Sequence, residues 1–411
     1  MMAATIGRVL WVRALRAFAD GYVSLLLPVY LLSLGLTVFE VGVIATATLL
    51  GSAALSLGVG LYAHRAGYRT LLLAATLLMA ATGFAFAAVS DFWPLLIIAV
   101  VGTLNPSSGD VSVFLPLEQS LLAHVVEDKR RTAFFARYSL VGALVGALGA
   151  LFAGAPDLAV KWLHVEPKSA LQAMFVLYGL SGLACATIYR KLPASPAGEA
   201  RVPAVPLGKS RRIVFTLAAL FSLDAFGGGF VVQSMLALWL FERFELSTAV
   251  AGTIFFWSGV FSAFSYLVAV RIAKRIGLVN TMVFTHLPAN LMLVAMPFVP
   301  QLGWVIVLLL ARSALSQMDV PARGSYVMAV VTPAERPAAA SITSVPRSLA
   351  SAVSPLLAGA MLAVSSFGWP LLLAGLTKIV YDLSLLATFR AVRPPEEARA
   401  AHDRDDQVSA S

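Results

Sequence analysis

The sequence predicts an all-α membrane protein of twelve transmembrane helices arranged as two pseudo-symmetric six-helix bundles. Three observations lead there. First, 59% of the 411 residues are hydrophobic and only 12% are charged, where an ordinary soluble domain carries about 25% charged residues. A mean hydropathy of +0.85 leaves too little polar material to cover a water-facing surface, whereas a lipid-facing surface needs none. Second, apolar runs of roughly the 20 residues needed to cross a bilayer recur along the whole chain. Third, short segments of the first half reappear in the second. The single cysteine, Cys185, excludes an internal disulfide and any Cys-based metal site.

The runs fall near residues 12–36, 41–62, 71–90, 93–124, 133–154, 170–190, 212–241, 247–270, 278–299, 302–331, 338–364 and 369–390, and are numbered here as spans 1 to 12. Arg8, Arg13 and Arg16 precede or open span 1 and read as its cytoplasmic lead rather than as part of a removable leader. Residues 191–211 are rich in Pro, Ala and Gly, a linker composition that splits the spans six and six. The expected organisation is therefore a first bundle over 1–190, a cytoplasmic linker over 191–211, a second bundle over 212–390 and a polar, disordered cytoplasmic tail over 391–411. Basic residues set orientation. The even-numbered loops, the linker and the C-terminal end hold Arg65, Arg69, Lys129, Arg130, Arg131, Arg190, Lys191, Arg211, Arg212, Arg271, Lys274, Arg275, Arg336, Arg390 and Arg393. The opposite loops hold only Lys161, Lys168 and Arg243. Both termini and the linker are thus expected on the cytoplasmic side of the plasma (inner) membrane. The formal charge of +9 is accounted for by this loop bias, so no nucleic-acid partner is implied.

The repeat is visible residue by residue. Ala63, Arg65 and Gly67 after span 2 match Ala273, Arg275 and Gly277 after span 8; Leu36, Thr37 and Gly42 match Leu246, Ser247 and Gly252 at the same offset. Paired six-helix halves joined by a linker are characteristic of repeat-built transporters. The loop after span 2 resembles the G-x-x-x-D-R-x-G-R-R signature of the major facilitator superfamily. Gly60, Arg65, Gly67 and Arg69 occupy its glycine and basic positions, with His64 in place of the aspartate and Tyr68 in place of an arginine. The resemblance covers about residues 10–392 and implies a cytoplasmic gate formed by Gly60, His64, Arg65, Gly67 and Arg69 together with Lys274, Arg275 and Gly277. His64 would make such a gate sensitive to pH near 6.5. The family's antiporter pattern G-P-x-x-G-G is present in span 5 only as Gly149-Ala-Leu-Phe-Ala-Gly154, without its proline, and Arg312-Ser-Ala-Leu-Ser-Gln317 is similar to a pattern the family carries in span 4. The resemblance assigns no substrate.

Charged groups at membrane depth cost about 2.5–3.5 kcal/mol each on insertion scales, so those retained there mark candidate sites. Asp20, Asp110, Asp224 and Asp319 fall near the middle of spans 1, 4, 7 and 10, the first helix of each three-helix unit. The resemblance implies that these spans line the transport route. Gly21, Asn105 to Gly109, Gly227 to Gly229 and Pro321 lie beside the four acids and read as helix breaks, tolerated where backbone lines a wet cavity. Arg16 and Asp20, Asp319 and Arg323, and Lys378 and Asp382 have the i,i+4 spacing of helical ion pairs; the last reads as structural. Glu118 is a further acid able to carry a proton if desolvated. Arg312, Arg323 and Arg347 could instead hold an anionic substrate through bidentate contacts. Gly142, Gly146, Gly149 and Gly154 give span 5 a small-residue packing face, and His286 and Pro288 read as core and kink residues.

Two phosphate-loop look-alikes fail on context. Gly58-Val-Gly-Leu-Tyr-Ala63 follows no strand, and Gly208-Lys-Ser210 sits in the linker without its leading glycine. No zinc-protease or nucleophile-elbow motif is present, so neither an enzyme nor a bound cofactor or metal is expected. The reading is a monomeric secondary transporter taking a small-molecule substrate and a proton or other coupling cation, embedded in the bilayer and working by alternating access, with export favoured. Its alternatives are uptake of an organic anion and a non-transporting receptor or scaffold of the same fold.

Overall fold

A computed structural model describes residues 2–62, 67–107, 112–125, 128–193, 207–208, 210–332 and 335–390. Among them the secondary structure is entirely helical. Among the described residues eleven helical stretches, some of them joining two helices, are long and apolar enough to cross a membrane, and the expected twelfth crossing, span 4, is broken. Span 1 is α1 (Met2–Ser33), span 2 α2 (Val38–Tyr62) and span 3 α3 (Tyr68–Ala88). Span 4 divides into α4 (Phe92–Val101) and α5 (Phe114–Val125). The interruption follows from local chemistry. Asn105 turns its side chain back to accept hydrogen bonds from the Ser107 backbone N–H (3.0 Å) and hydroxyl (2.7 Å), an Asx turn that competes with helix, and Pro106 supplies no N–H.

Span 5 is α6 (Asp128–Phe152); a short helix that the hydropathy pattern does not announce, α7 (Ala155–Leu163), follows it, and span 6 is α8 (Pro167–Tyr189). Span 7 also divides, into α9 (Arg211–Gly229) and α10 (Gln233–Phe244). Its break falls at Phe230 to Val232, beyond the triple glycine, so α9 runs through Gly227 and Gly228 rather than stopping at them. Spans 8 and 9 are α11 (Thr248–Ile276) and α12 (Leu278–Ala295), the latter ending in a 3₁₀ turn (Met296–Phe298). Span 10 divides into α13 (Leu302–Ser316) and α14 (Asp319–Val330); spans 11 and 12 are α15 (Arg336–Val364) and α16 (Trp369–Phe389). Asp319 opens α14, where a carboxylate suits the positive helix N-terminus, and Pro321 occupies that first turn, where its missing N–H costs nothing.

The chain forms two compact units. The first comprises Met1–Arg201, Gly229–Val260 and Ser351–Pro370; the second comprises Val202–Gly228, Phe261–Ala350 and Leu371–Ser411. In the first, α1 and α6 approach backbone to backbone: a Cβ on Gly21 would strike the Gly146 carbonyl, and one on Gly149 the Phe18 carbonyl. Gly21 is therefore a packing residue inside an unbroken α1, not a helix break. Gly42 and Gly359 meet in the same way, a Cβ on either falling 2.8 Å from the other's Cα. At the break in span 4 the Pro106 carbonyl accepts the Ser234 N–H of α10 at 3.1 Å, which gives one freed backbone group of an interrupted helix a partner away from water. Asp157 of α7 accepts the orphan Ala249 N–H at the start of α11 (3.0 Å).

In the second unit, Val214, Leu217, Phe221, Met282, Val283, Tyr326, Tyr381, Leu385 and Phe389 form a buried core. Gly277 joins α11 to α12 with φ of 86°, a left-handed conformation that favours glycine, and its N–H closes onto the Ala273 carbonyl at 3.0 Å. Its sequence counterpart Gly67 has φ of −64°, so the repeat preserves the residue and not its backbone role. Large apolar side chains stand exposed across the molecule, including Ile97, Leu148, Phe264, Leu291 and Val380, as lipid-facing surface does and water-facing surface rarely does.

Candidate functional site

Among the described residues, each unit buries a cluster of charged side chains. In the first, Arg16 of α1 reaches Glu118 of α5, its Nη2 lying 2.9 Å from Oε1 and 3.0 Å from Oε2. Glu118 also accepts hydrogen bonds from the hydroxyls of Tyr189 in α8 (2.5 Å) and Tyr138 in α6. Arg16 is 1% and Glu118 0% exposed, so the carboxylate is fully desolvated yet surrounded by donors, the condition under which a buried charge is tolerated. The Arg16 guanidinium stacks 3.9 Å above the Phe114 ring, and Arg13 lies over the Tyr138 ring. Gly142 makes the room for Arg13, since a Cβ there would collide with its guanidinium.

The i,i+4 spacing of Arg16 and Asp20 therefore does not produce the expected pair, because Arg16 turns to α5 instead. Asp20 remains buried and, among the described residues, has neither a hydrogen bond nor an ion pair. Among the described residues, Thr103 Oγ1 and Asn105 Nδ2 at the break in span 4 are also buried without a hydrogen-bond partner.

In the second unit, Asp224 of α9 is the hub. Its Oδ1 lies 2.6 Å from Lys378 Nζ of α16 and its Oδ2 2.8 Å from Arg323 Nη2 of α14. Arg323 also pairs with Asp319 one turn earlier on α14, the one helical pair of the three that forms as its spacing predicts. Lys378 does not pair with Asp382 as expected. Asp382 is held by α12 instead, with His286 Nδ1 2.9 Å from Oδ1 and Asn290 Nδ2 donating to Oδ2 at 2.8 Å. His286 Nε2 faces Asp224 Oδ1 at 3.9 Å. Arg323 sits over Phe221 and Tyr381, yet its Nε and Nη1 have no hydrogen-bond partner among the described residues.

Of the other sequence candidates, Arg312 is half-buried on α13 with its Nε unmet, and Arg347 is exposed on α15. Gly60 lies in the last turn of α2, Arg69 in the first turn of α3, and Arg275 is exposed near the end of α11. Asp110, His64, Arg65 and the side chain of Lys274 lie outside the described residues. The sequence reading missed Lys378, His286, Asn290, Tyr138, Tyr189 and Arg13 as members of the clusters. The signal that finds Lys378 is its cationic type in an apolar span; nothing in the spacing connects the tyrosines to Glu118.

Helices that bury charged side chains while showing lipid an apolar surface, several of their spans interrupted at depth, define a polytopic membrane transporter. The chain belongs to the Major Facilitator Superfamily, whose family model matches residues 9–318 and again 218–410. It is a multi-pass membrane protein and a secondary transporter. Over 94% of its length and 94% of the relative's, it is 24% identical to the uncharacterized membrane protein YJR124C of Saccharomyces cerevisiae. Among solved structures it is similar to a bacterial homolog of the human lysosomal transporter Spinster in an inward-facing, unoccupied conformation (TM-score 0.71, 14% identity, 94% of this chain and 95% of that one). It is also similar to the nucleoside transporter NupG (TM-score 0.71, 12% identity, 94% and 99%). At these identities the solved structures share the fold alone.

Proposed function

We propose that this chain exports a small organic molecule across the plasma membrane in exchange for protons, as a monomer working by alternating access with both termini cytoplasmic. In this reading 1–190 and 212–390 are the moving halves, 191–211 the linker and 391–411 a cytoplasmic tail. Gly60, His64, Arg65, Gly67, Arg69, Lys274, Arg275 and Gly277 form the cytoplasmic gate. The observation that carries the coupling is Asp20. A coupled carrier needs a buried acid whose proton is not already replaced by a fixed cation, and Arg16, the cation one turn away, is committed to Glu118. Glu118 then serves to hold Arg16, while Asp20, with Asp110 as its counterpart in span 4, takes and releases the proton. Asp224, Asp319 and Arg323 form the substrate-facing polar group of the second half. One proton moving through 100 mV supplies about 2.3 kcal/mol, roughly a 50-fold substrate gradient.

A second reading, uptake of an organic anion, is favoured by one feature: the unmet Nε and Nη1 of Arg323 and Nε of Arg312. A guanidinium with two open donors is set to take a carboxylate or phosphate, with Arg347 as a third candidate.

The test begins with a thermal-shift screen of the purified protein against metabolites and drugs, because a ligand stabilises the state it binds. The stabilising ligand is then followed in proteoliposomes under an imposed pH gradient. Export coupled to protons moves it against the proton flow, and Asp20→Asn abolishes the pH-driven component while leaving ligand counterflow. Unchanged pH-driven flux in D20N removes Asp20 from the coupling. A stabilising ligand that never crosses the bilayer leaves the receptor alternative standing.

A further inference from the structure

Between spans 5 and 6 lies α7, nine residues long and so about 14 Å at the helical rise, half of a bilayer's hydrocarbon core of roughly 30 Å. It is too short to cross, yet its surface is not suited to water. Leu158, Trp162 and Leu163 are 56%, 70% and 72% exposed. Leu158 and Trp162 stand one turn apart on one face. Leu163 is the last residue of the helix, which His164 closes in a left-handed conformation with φ of 54°. Lys161 is exposed as well, its Nζ 5.5 Å from the centre of the Trp162 ring. Tryptophan and lysine over leucine is the chemistry of the boundary between headgroups and acyl chains.

The helix leading into α7 shows what covers this face. On α6, Gly149 meets the Phe18 carbonyl of α1, while Ala147 and Ala150 meet Gly259 and Gly252 of α11. Leu144, Leu148 and Leu151 occupy the third side of α6, turned from both contacts, and are exposed; that is a lipid-facing stripe. Only Ala153 and Gly154 separate α6 from α7, so the exposed leucines of α7 take over where those of α6 stop. The other side of α7 is fixed to the protein. Pro156 is buried, a Cβ on Gly154 would fall 2.9 Å from the Ala249 Cα, and Asp157 accepts the Ala249 N–H at 3.0 Å. Asp157 is the one acid in α7. With it committed to α11, the free face carries a single positive charge, that of Lys161, which complements lipid phosphate.

We propose that α7 is a lipid-seated clamp on span 8. Leu158, Trp162 and Leu163 enter the headgroup boundary of the bilayer, Lys161 meets the phosphates, and this seat holds Asp157 on the first turn of α11. The clamp is independent of substrate and coupling ion.

The test uses the full-length chain in nanodiscs of phosphatidylcholine and phosphatidylglycerol, one copy per disc. Cys185, the single cysteine, is replaced by alanine, and a nitroxide is placed in turn at Leu158→Cys, Leu163→Cys, Leu148→Cys and Glu166→Cys. Collisions with oxygen and with a water-soluble nickel complex give the depth of each label. Labels at 158 and 163 are expected within about 5–10 Å of the headgroups on the lipid side, between the deeper 148 and the wetter 166. Depths at 158 and 163 equal to that at 166 overturn the proposal. So do labels closed to both collision partners, whether in single-copy discs, where the chain itself covers the face, or only when two copies share a disc, where a second copy does. Hydrogen exchange over residues 246–252 tests the clamp. Asp157→Ala should speed exchange about fivefold, the effect of losing a helix cap, and Trp162→Ser with Leu163→Ser should speed it comparably while exchange in α8 stays unchanged. Wild-type exchange at 246–252 in either variant overturns the clamp.

Discussion

Asp224→Asn tests the second cluster through the partner it strands. In the wild type Lys378 Nζ lies 2.6 Å from Asp224 Oδ1 with its side chain 9% exposed, and it makes no other ion pair among the described residues. Arg323 keeps Asp319 when Asp224 is neutralised, so the uncompensated cation in D224N is Lys378. Breaking a buried pair by removing one partner costs about 3–5 kcal/mol, and D224N is expected in that range. Replacing both partners by neutral groups of similar size is close to neutral or stabilising, so D224N/K378M should recover most of the loss. The assay is equilibrium unfolding of the four proteins of the cycle in mixed mild-detergent and dodecyl sulfate micelles, followed by helical circular dichroism. A coupling of about 2 kcal/mol or more between the two sites is expected. Equal stabilities for D224N and the double variant, within the roughly 0.5 kcal/mol expected of independent sites, would refute the ion pair as the organising contact.

Two further expectations follow from the packing and the cytoplasmic side. Gly149→Ala puts a methyl group into the Phe18 carbonyl, and overpacking of this kind costs about 1–3 kcal/mol. Gly324→Ala meets nothing within 4 Å and should gain up to about 1 kcal/mol of helix propensity, so melting temperatures of the two variants should move in opposite directions. Glu335, before α15 and outside the membrane spans, accepts hydrogen bonds from the Ser210 hydroxyl, the Gly208 N–H and the Thr332 hydroxyl, which hold its carboxyl down from 4.5 to about 2. A group depressed on folding stabilises above its unfolded value and loses that contribution as pH falls through the folded one. The difference in stability between wild type and Glu335→Gln should therefore be constant above pH 5 and shrink to nothing between about pH 4.5 and pH 2. Hydrogen exchange at the Gly208 N–H, slowed in the wild type, reports the same contact directly.

The twelve spans were legible because the physics that sets them is one-dimensional: a run of apolar side chains of bilayer length and the charge of the loops beside it. The interruption of span 4 was half legible. Asn105 and Pro106 announce a break, but hydropathy alone runs through it, since isolated polar residues barely lower the average of a long window. The short α7 gave no signal because its length lies well below a span. Gly21 and Gly227 were read as breaks because glycine lowers helix propensity; in a packed bundle the same missing Cβ admits the Gly146 carbonyl and the Lys378 stem, and the helix continues. Tertiary contact decides between these two uses of glycine, and the chain order contains no record of it.

The three i,i+4 pairs show why the candidate site was harder to read than the fold. Spacing along a helix brings two charges within reach, and in water that reach is worth a few tenths of a kcal/mol. Inside a membrane protein a carboxylate with one partner is still short of donors, so the arrangement that satisfies the most lone pairs wins. Glu118 collects an arginine and two tyrosines from three different helices, and that demand takes Arg16 away from Asp20. Asp224 collects Arg323 and Lys378, which takes Lys378 away from Asp382 and leaves Asp382 to His286. Only Asp319 keeps its helical neighbour, because Arg323 has donors enough for both acids. Each theft of a local partner leaves behind an acid without a fixed cation: Asp20 in the first unit, and Asp382 with its imidazole in the second. Of these two leftovers, Asp20 is the group to which proton exchange is assigned. If D20N left pH-driven flux at its wild-type rate, the surplus acid in the first unit would be no more than a by-product of helix packing.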